Sequence, residues 1–551
     1  MSDTEFGSET TSEAAEKSAI ELLSPQTQQG QLAVKECTLA GNDENVRPIN
    51  ITGLVSNISI FEDITKPFLT GRLSIMDGLD LVKNFKLKGQ ESLTLSVCQI
   101  EIPPGGGEPV ECEPKNAINK VFRVYGVSEF KKDYNENYST YILHFVDPKY
   151  FTCERTRLNK VYRNSYSNML LETLREECGF KYTEDFKGEG IDYWDDSSPE
   201  SLQFIAPNWN VNRFIKFITE NADMKDNKSW KNSMFFYQTA NGGFRFSSFQ
   251  SMLNREFPLA FTYHGRNAQM HTNDPNSPNL GVNTQIMSLE FPQRFNTVKG
   301  TKQGAYASKM ITYDPVRKVH EETIYDMKKI YDKTDTTSHV SGHPMLILGE
   351  EEKIYRSFKT FETADLVQEE WWADATPNEA YDSKVLYKTN MTNSFSDEAK
   401  LIDASGNTEV TQPRGVEYRD SSTLERQALL SVFEQNTLKA TIPFRSDISV
   451  GTIVKFNIPT SELRGKDGVS FDKAKEPNKL QDDRYLITRI AYTISPIDAR
   501  GALTLFCVKE SFGTDIKEYK PLGDTYGVDQ AAIDMFAERL REEWEGPQAD
   551  E

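Results

Sequence analysis

The chain has 551 residues, with 63 Lys and Arg against 83 Asp and Glu, for a formal net charge of −20. That balance argues against a nucleic-acid grip, which needs a basic footprint, and the length implies two to four domains, each large enough to bury its own core. Residues 1–30 carry six acids and one base, and residues 517–551 carry ten acids and four bases, so the middle of the chain is only mildly acidic.

The first thirty residues are rich in Ser, Thr, Glu and Gln and lack the apolar content needed to order themselves. Order is expected from about Leu32. Strands are predicted over Ile51–Ile60 and Thr70–Met76, with a turn and short helix over Asp77–Phe85. Leu93, Leu95 and Val97 alternate with polar residues, as a strand requires. Pro103-Pro104-Gly105-Gly106-Gly107 forces a loop, after which Phe122–Phe130 and Ser139–Val146 read as a hairpin. A more helical region follows. Ser165 or Ser167 caps a helix bearing Met169, Leu170, Leu174 and Cys178 on one face, and Gly179 ends it. Ser198-Pro199-Glu200 predicts a second helix through Phe204. Asn210 or Asn212 opens a third, striped by Phe214, Phe217, Ile218 and Ala222. Met234–Gln238 and Phe244–Phe249 flank Asn241-Gly242, a strong hairpin turn.

Strands return at Met287–Phe291, Lys309–Tyr313 and Glu322–Tyr325. Residues 330–420 are polar and punctuated, with Trp371-Trp372 as the main apolar anchor, and read as excursions on the outside of a second module. A helix over Leu424–Phe433 leads into four strands: Leu438–Ile442, Thr452–Ile458, Tyr485–Ile494 and Ala502–Val508. The segment Val528–Glu545 is amphipathic, with Met535, Phe536, Leu540 and Trp544 largely on one face; such a helix docks on its own chain or on a partner. No apolar run reaches the length of a membrane span, and the N-terminus lacks the basic-then-apolar order of a signal peptide, so a soluble chain without an export signal is expected. Six cysteines without a CxxC pair read as reduced thiols that fill cores.

The first and last modules share one order. Leu93, Leu95 and Val97 correspond to Val454, Phe456 and Ile458. Phe122, Val124 and Val127 correspond to Tyr485, Ile487 and Ile490, and Tyr141, Leu143 and Phe145 to Leu503, Leu505 and Cys507. Val97 to Phe122 spans 25 residues and Ile458 to Tyr485 spans 27; Phe122 to Tyr141 spans 19 and Tyr485 to Leu503 spans 18. A strand, a long loop and a hairpin at such spacing suggest a duplicated antiparallel β-barrel or sandwich, although any two antiparallel modules share some of this order. The fold class is β-rich α+β and multidomain.

No site for chemistry emerges. His339 and His343 have helical spacing, but Gly342 and Pro344 oppose a helix and no further ligands accompany them. No G-x-S-x-G elbow, P-loop or H-E-x-x-H occurs. The Pro103–Gly107 loop lacks the Lys-Ser/Thr of a phosphate cradle. Asp195-Asp196 and Asp482-Asp483 are explained by capping and solvation. Neither a metal nor a cofactor is expected, and a large acidic chain with two like β-modules suits an assembly subunit.

Several stretches resemble the baseplate hub proteins of contractile-tailed phages. Ile205-Ala206-Pro207-Asn208-Trp209 before the Phe214–Ala222 helix is similar to that family's middle domain, as is the hairpin Met234–Phe249 around Gly242-Gly243. Gly304–Ser308, with Tyr313-Asp314-Pro315 and Lys318, resembles the opening of the family's second tube-like domain; Arg426–Ile442, Val450–Ile458 and Asp483–Val508 resemble its close. The resemblance covers about residues 35–325 and 424–515. It implies two tube-like barrels, at 32–150 and 281–515 with an insertion at about 330–420. Between them lies an α+β domain at 151–280, and the tails are 1–31 and 516–551. It further implies a non-enzymatic homotrimer whose six barrels form a pseudo-sixfold ring. Tail-tube or tube-initiator proteins would sit above, a spike with an OB-fold below, and tape-measure or other baseplate proteins alongside, with DNA only in transit. The location implied is the virion baseplate, after assembly in the host cytoplasm. On this reading the strands bearing Phe122, Val124, Val127, Tyr141, Leu143, Phe145, Tyr485, Ile487, Ile490, Leu503 and Leu505 form the ring. Residues 330–420 and both tails match nothing in the family, and the Met535, Phe536, Leu540 and Trp544 face is a partner-docking candidate on its amphipathicity alone. Alternatives are the hub half of a bacterial secretion-system spike, or a tail-associated cell-wall hydrolase.

Overall fold

The computed structural model describes residues 30–41, 47–101, 110–111, 117–132, 138–181, 190–198, 202–224, 233–263, 285–293, 296–305, 307–314, 319–326, 384–389, 401–402, 408–409, 416–434, 436–458 and 483–509. Its main element is a 14-stranded sheet. In chain order the strands are β1 (Leu32–Ala40), β2 (Ile49–Asn50), β3 (Val55–Asp63), β4 (Thr70–Asp77), β5 (Ser92–Glu101), β6 (Val110–Glu111), β7 (Ile118–Lys132), β8 (Ser139–Val146), β9 (Glu256–Thr262), β10 (Ser288–Gln293), β11 (Thr437–Pro443), β12 (Ile453–Asn457), β13 (Asp483–Ser495) and β14 (Arg500–Val508). The pairing order is β10-β11-β14-β13-β3-β4-β8-β7-β5-β1-β2, with β12 joining β13 to β9 and β6 lying on β5.

The spacing read from the sequence corresponds to matching registers, apart from one extra irregularity in β7, between Ser128 and Lys131, that β13 lacks. Phe122 pairs with Leu93, and Tyr485 pairs with Val454. Val127 faces Leu143, and Ile490 faces Leu505. The two long hairpins even share a bulge, between Val124 and Gly126 in β7 and between Ile487 and Arg489 in β13. The unit β3-β4-β8-β7-β5 therefore matches β10-β11-β14-β13-β12. The copies diverge at the margin, because β5 pairs antiparallel with β1 whereas β12 pairs parallel with β9. They are not two separated modules: β13 pairs with β3, so both lie in one sheet over one continuous core.

Within the first unit, α1 (Leu81–Asn84) fills the turn after β4; between the units lie three capped helices. Asp147 caps α2 (Pro148–Arg155) by accepting from Lys149 N at 2.8 Å, with Pro148 in the first turn. Ser165 caps α3 (Tyr166–Glu176), and Gly179 adopts φ +64° just beyond it. Asn210 caps α4 (Val211–Asn221) by accepting from Arg213 N at 2.9 Å. These helices close a second core with Phe236, Phe244 and Phe246 of the hairpin Met234–Gln238/Phe244–Ser248. The helix expected from Ser198 to Phe204 is not formed. Leu202–Ile205 is instead a strand on Val161–Asn164, and Phe204 stacks on Phe217 at 4.7 Å, so cross-strand pairing and aromatic packing outweigh the Ser-Pro-Glu start signal. Ser197-Ser198 pairs with Asp223-Met224.

Helix α5 (Phe249–Leu253) follows the hairpin, α6 (Thr297–Gln303) follows β10, and α7 (Val416–Phe433) begins earlier than Leu424. Strands Ala307–Asp314 and Val319–Asp326 form their own small sheet, completed by Val385–Thr389 from the region read as excursions. Trp371-Trp372 lies outside the described residues. Among the described residues no helix is long and apolar enough to cross a membrane. The cysteine reading needs one correction. Cys98 is disulfide-bonded, whereas Cys37, Cys153, Cys178 and Cys507 are free and buried. Burial pushes the Cys37 thiol up to about 12, which makes it a core filler rather than a nucleophile.

Ile487 and Leu505 are both fully buried. Replacing either by Asp buries an uncompensated carboxylate at a cost on the order of 3–5 kcal/mol. We expect Ile487→Asp or Leu505→Asp to lose the cooperative thermal transition; a variant melting with the wild-type would contradict this packing.

Candidate assembly interface

The β13–β3 junction runs antiparallel from Arg489 opposite Asp63 to Ile494 opposite Ile58. Period-two alternation puts Ile58, Ile60 and Glu62 on the core face of β3. Ile58, Ile60, Tyr492 and Ile494 are buried, so the seam is part of the core. At its end Arg489 Nε meets Asp63 Oδ2 at 3.2 Å, a pair whose exposed arginine makes it a minor contributor.

Glu62, at 1% exposure, joins three segments far apart in sequence. Oε1 accepts from Ala240 N of the hairpin turn at 2.5 Å, and Oε2 accepts from Val450 N at 3.0 Å. The Tyr492 hydroxyl of β13 lies 3.0 Å from Oε1 and 3.1 Å from the Ile448 carbonyl. Burial raises the carboxyl above the usual range, against the hydrogen bonds and the Arg245 charge, which lower it. The Tyr492 hydroxyl is shared between Glu62 Oε1 and the Ile448 carbonyl, so the carboxyl accepts from two backbone amides and one phenol. Arg245 is itself held by Asp192 at 3.0 Å.

Further clasps surround this point. Gln238 donates to Asp147 Oδ2 at 2.5 Å and accepts from Leu69 N at 3.0 Å, tying the hairpin to β4 and the α2 cap. Lys120 Nζ of β7 donates to the Gly242 carbonyl. Gly451, at φ +73°, lies against Tyr237, and a Cβ there would sit 2.3 Å from the Tyr237 hydroxyl. Arg426 of α7 donates to Met234 O at 2.9 Å and lies over the Phe235 ring; burial lowers it to about 10, so it stays charged at neutral pH. It borders a cavity of about 500 Å³, lined also by Phe68, Tyr150 and Asn212.

The unit at each end of the sheet has a strand paired on one side only. Among the described residues, β7 from Gly126 to Lys132 pairs only with β8, and β10 pairs only with β11. The equivalent edges meet inside the chain as β13 and β3. Their exposure differs accordingly: Ile490 is 1% exposed and its counterpart Val127 is 42% exposed, while Tyr492 is 0% and Phe130 is 51%. On the sheet face away from the core, Lys439 meets Glu290 at 2.9 Å, His144 lies 2.7 Å from Ser128, and Arg72 lies over Phe61.

The residues singled out from the sequence fall as follows. Phe122, Val124, Tyr141, Leu143, Phe145, Tyr485, Ile487, Ile490, Leu503 and Leu505 all point into the shared core, while Val127 is half-exposed. Met535, Phe536, Leu540 and Trp544 lie outside the described residues. Glu62, Asp147 and Gln238 were missed. The signal for Glu62 was available, since an acid at an inward position of an alternating strand requires partners.

No family model matches the chain, and no curated protein matches it. Solved structures do resemble it. The 43 kDa tail protein of prophage MuSo2 from Shewanella oneidensis is 12% identical, covering 86% of this chain and 98% of its own, with a TM-score of 0.42. A tail protein from Neisseria meningitidis is 10% identical over 88% of this chain and 98% of its own, also at 0.42. The type VI secretion component c3393 of E. coli is 9% identical over 89% and 79%, at 0.35. Likeness at this level carries no weight of its own, and the functional reading rests on the motifs and the sheet.

Because the folded Glu62 carboxyl titrates above its unfolded value of 4.5, its contribution is fully present below that value and is lost as pH rises through the folded pKa. Glu62→Gln cannot ionise and removes that slope. Denaturant titrations from pH 4 to pH 8 should therefore show the variant gaining relative to wild-type as pH rises; a pH-independent difference would contradict the assignment.

Proposed function

We propose that the chain is a non-enzymatic structural subunit of a phage tail baseplate, a hub that joins a hexameric tail tube to a trimeric central spike. The observation that carries this reading is the five-strand unit present twice in equivalent registers and joined edge to edge through β13 and β3. Three such chains supply six units, which matches sixfold symmetry above to threefold symmetry below. Closing the sheet into a ring also removes strand edges that would otherwise recruit other chains.

In this role the partners are two further copies of the chain, tail-tube or tube-initiator proteins above, and a spike with an OB-fold below. Tape-measure and neighbouring baseplate proteins are further candidates. DNA passes through the bore without being held. The sheet face away from the core suits this, because Lys439 and Arg489 are already paired with Glu290 and Asp63 and so add little net phosphate attraction. The buried acids Glu62 and Asp147 are occupied by structural hydrogen bonds. On this reading the protein resides in the virion, at the tail baseplate.

The test is the mass of the purified full chain, alone and mixed with an OB-fold spike protein encoded beside it. A trimer, or a complex of three chains with three spike chains, is expected. A strictly monomeric species in both samples would overturn the proposal. Release of fragments from peptidoglycan by the purified chain would instead favour the hydrolase alternative.

A further inference from the structure

The internal junction provides a template for a contact that the described residues of one chain do not make. Stepping through the matched pairs fixes the equivalence. Thr493 faces Ala502 in β14 and Lys131 faces Thr140 in β8, beyond a bulge between Ser128 and Lys131 that β13 lacks, so by its partner Lys131 occupies the position of Thr493. Ser59 faces Arg72 in β4 and Glu290 faces Lys439 in β11, so Glu290 occupies the position of Ser59. Thr493 and Ser59 are opposite each other in the junction. Phe130 stacks on Tyr141 as the counterpart of Tyr492, and the β10 bulge after Glu290 stands where Ile60 stands in β3.

From this we infer that β7, from Gly126 to Lys132, pairs antiparallel with β10 of a second copy, in the register that sets Lys131 opposite the partner's Glu290. Three observations support this occupant. The residues of β7 that lack cover, Val127 and Phe130, are those whose counterparts Ile490 and Tyr492 are buried by the internal junction. The charges match: Lys131 and Lys132 would face a strand whose Glu290 is 59% exposed in its side chain and already attracts Lys439. Finally, the open stretch of β7 and the open edge of β10 belong to different units of one sheet, so their pairing joins unlike edges head-to-tail and repeats from chain to chain until the ring closes. Lysines at an open edge also hinder indiscriminate strand pairing, and a complementary acid relieves that hindrance for one partner. The inference rests on the proposed function only for closure at three copies.

Disulfide trapping in the full chain tests it. Residues directly opposite across antiparallel strands have Cβ atoms roughly 4.5–5.5 Å apart. The combination Lys131→Cys with Glu290→Cys should therefore form intermolecular cross-links under mild oxidation, giving dimer and trimer bands on a non-reducing gel. Either single variant should not. Lys131→Cys with Gln293→Cys, displaced by about 10 Å along the strand, should cross-link at least tenfold less. A sample that is oligomeric by light scattering yet does not cross-link would overturn the pairing and leave the ring reading standing. A chain that stays monomeric and uncross-linked would overturn both, and a monomer-sized internal disulfide would overturn the pairing in favour of an occupant from the same chain. Cross-linked ladders extending well beyond three chains would support the pairing and overturn closure at three.

Discussion

The meeting of the two β-units and the hairpin depends on Glu62 having partners. An acid on the inward face of a strand is costly unless it is neutralised and hydrogen-bonded. Its partners are Ala240 from the hairpin turn, Val450 from the loop before β12, and Tyr492 from β13. Removing the carboxyl would orphan two buried amides, each at about 1–3 kcal/mol. The group thus fixes the two β-units and the hairpin between them at one point. Around that point the Gln238–Asp147 pair, the Lys120–Gly242 contact and the close approach of Gly451 to Tyr237 reinforce the same arrangement. The hydrophobic effect supplies most of the driving force, and these polar contacts select which edges meet.

The shared bulge is the second constraint. In both β7 and β13 the strand first pairs with its own unit, β5 or β12, and then bends away after the bulge. A bulge inserts one extra residue and re-aims the strand. The distal half keeps its pairing with β8 or β14, but its other edge leaves β5 or β12 and is offered to a neighbour. In β13 the neighbour is β3 of the same chain; in β7 the described residues supply none. One device used twice gives a chain with a satisfied junction in its middle and complementary edges at its ends, which is what a repeating ring requires.

Much of this was legible in the sequence, for a physical reason. Strand alternation reports which side chains face the core, so Phe122–Tyr485, Val124–Ile487, Val127–Ile490, Tyr141–Leu503 and Leu143–Leu505 could be matched without coordinates, and the structure places them in the same registers. Caps are local chemistry, so Ser165 and Asn210 were legible too. Leu202–Ile205 was misread because Ser-Pro-Glu promises a helix locally, whereas the pairing with Val161–Asn164 is tertiary. The β13–β3 junction was not legible as such, since nothing in a strand's own residues states which edge it will meet. The sequence pointed to two barrels; only the pairing shows one sheet. Val127 resembles Ile490 in sequence and differs from it in exposure, because exposure depends on the neighbour.

The central claim is that the two units are one continuous sheet, and amide hydrogen exchange across the junction tests it most directly. The backbone amides of residues 58–63 and 489–494 should be protected as strongly as those of Leu503–Val508 inside the second unit, and should open together with them as one cooperative block. Fast exchange in 58–63 and 489–494 while Leu503–Val508 remains protected would show two units that merely abut, and would contradict the account.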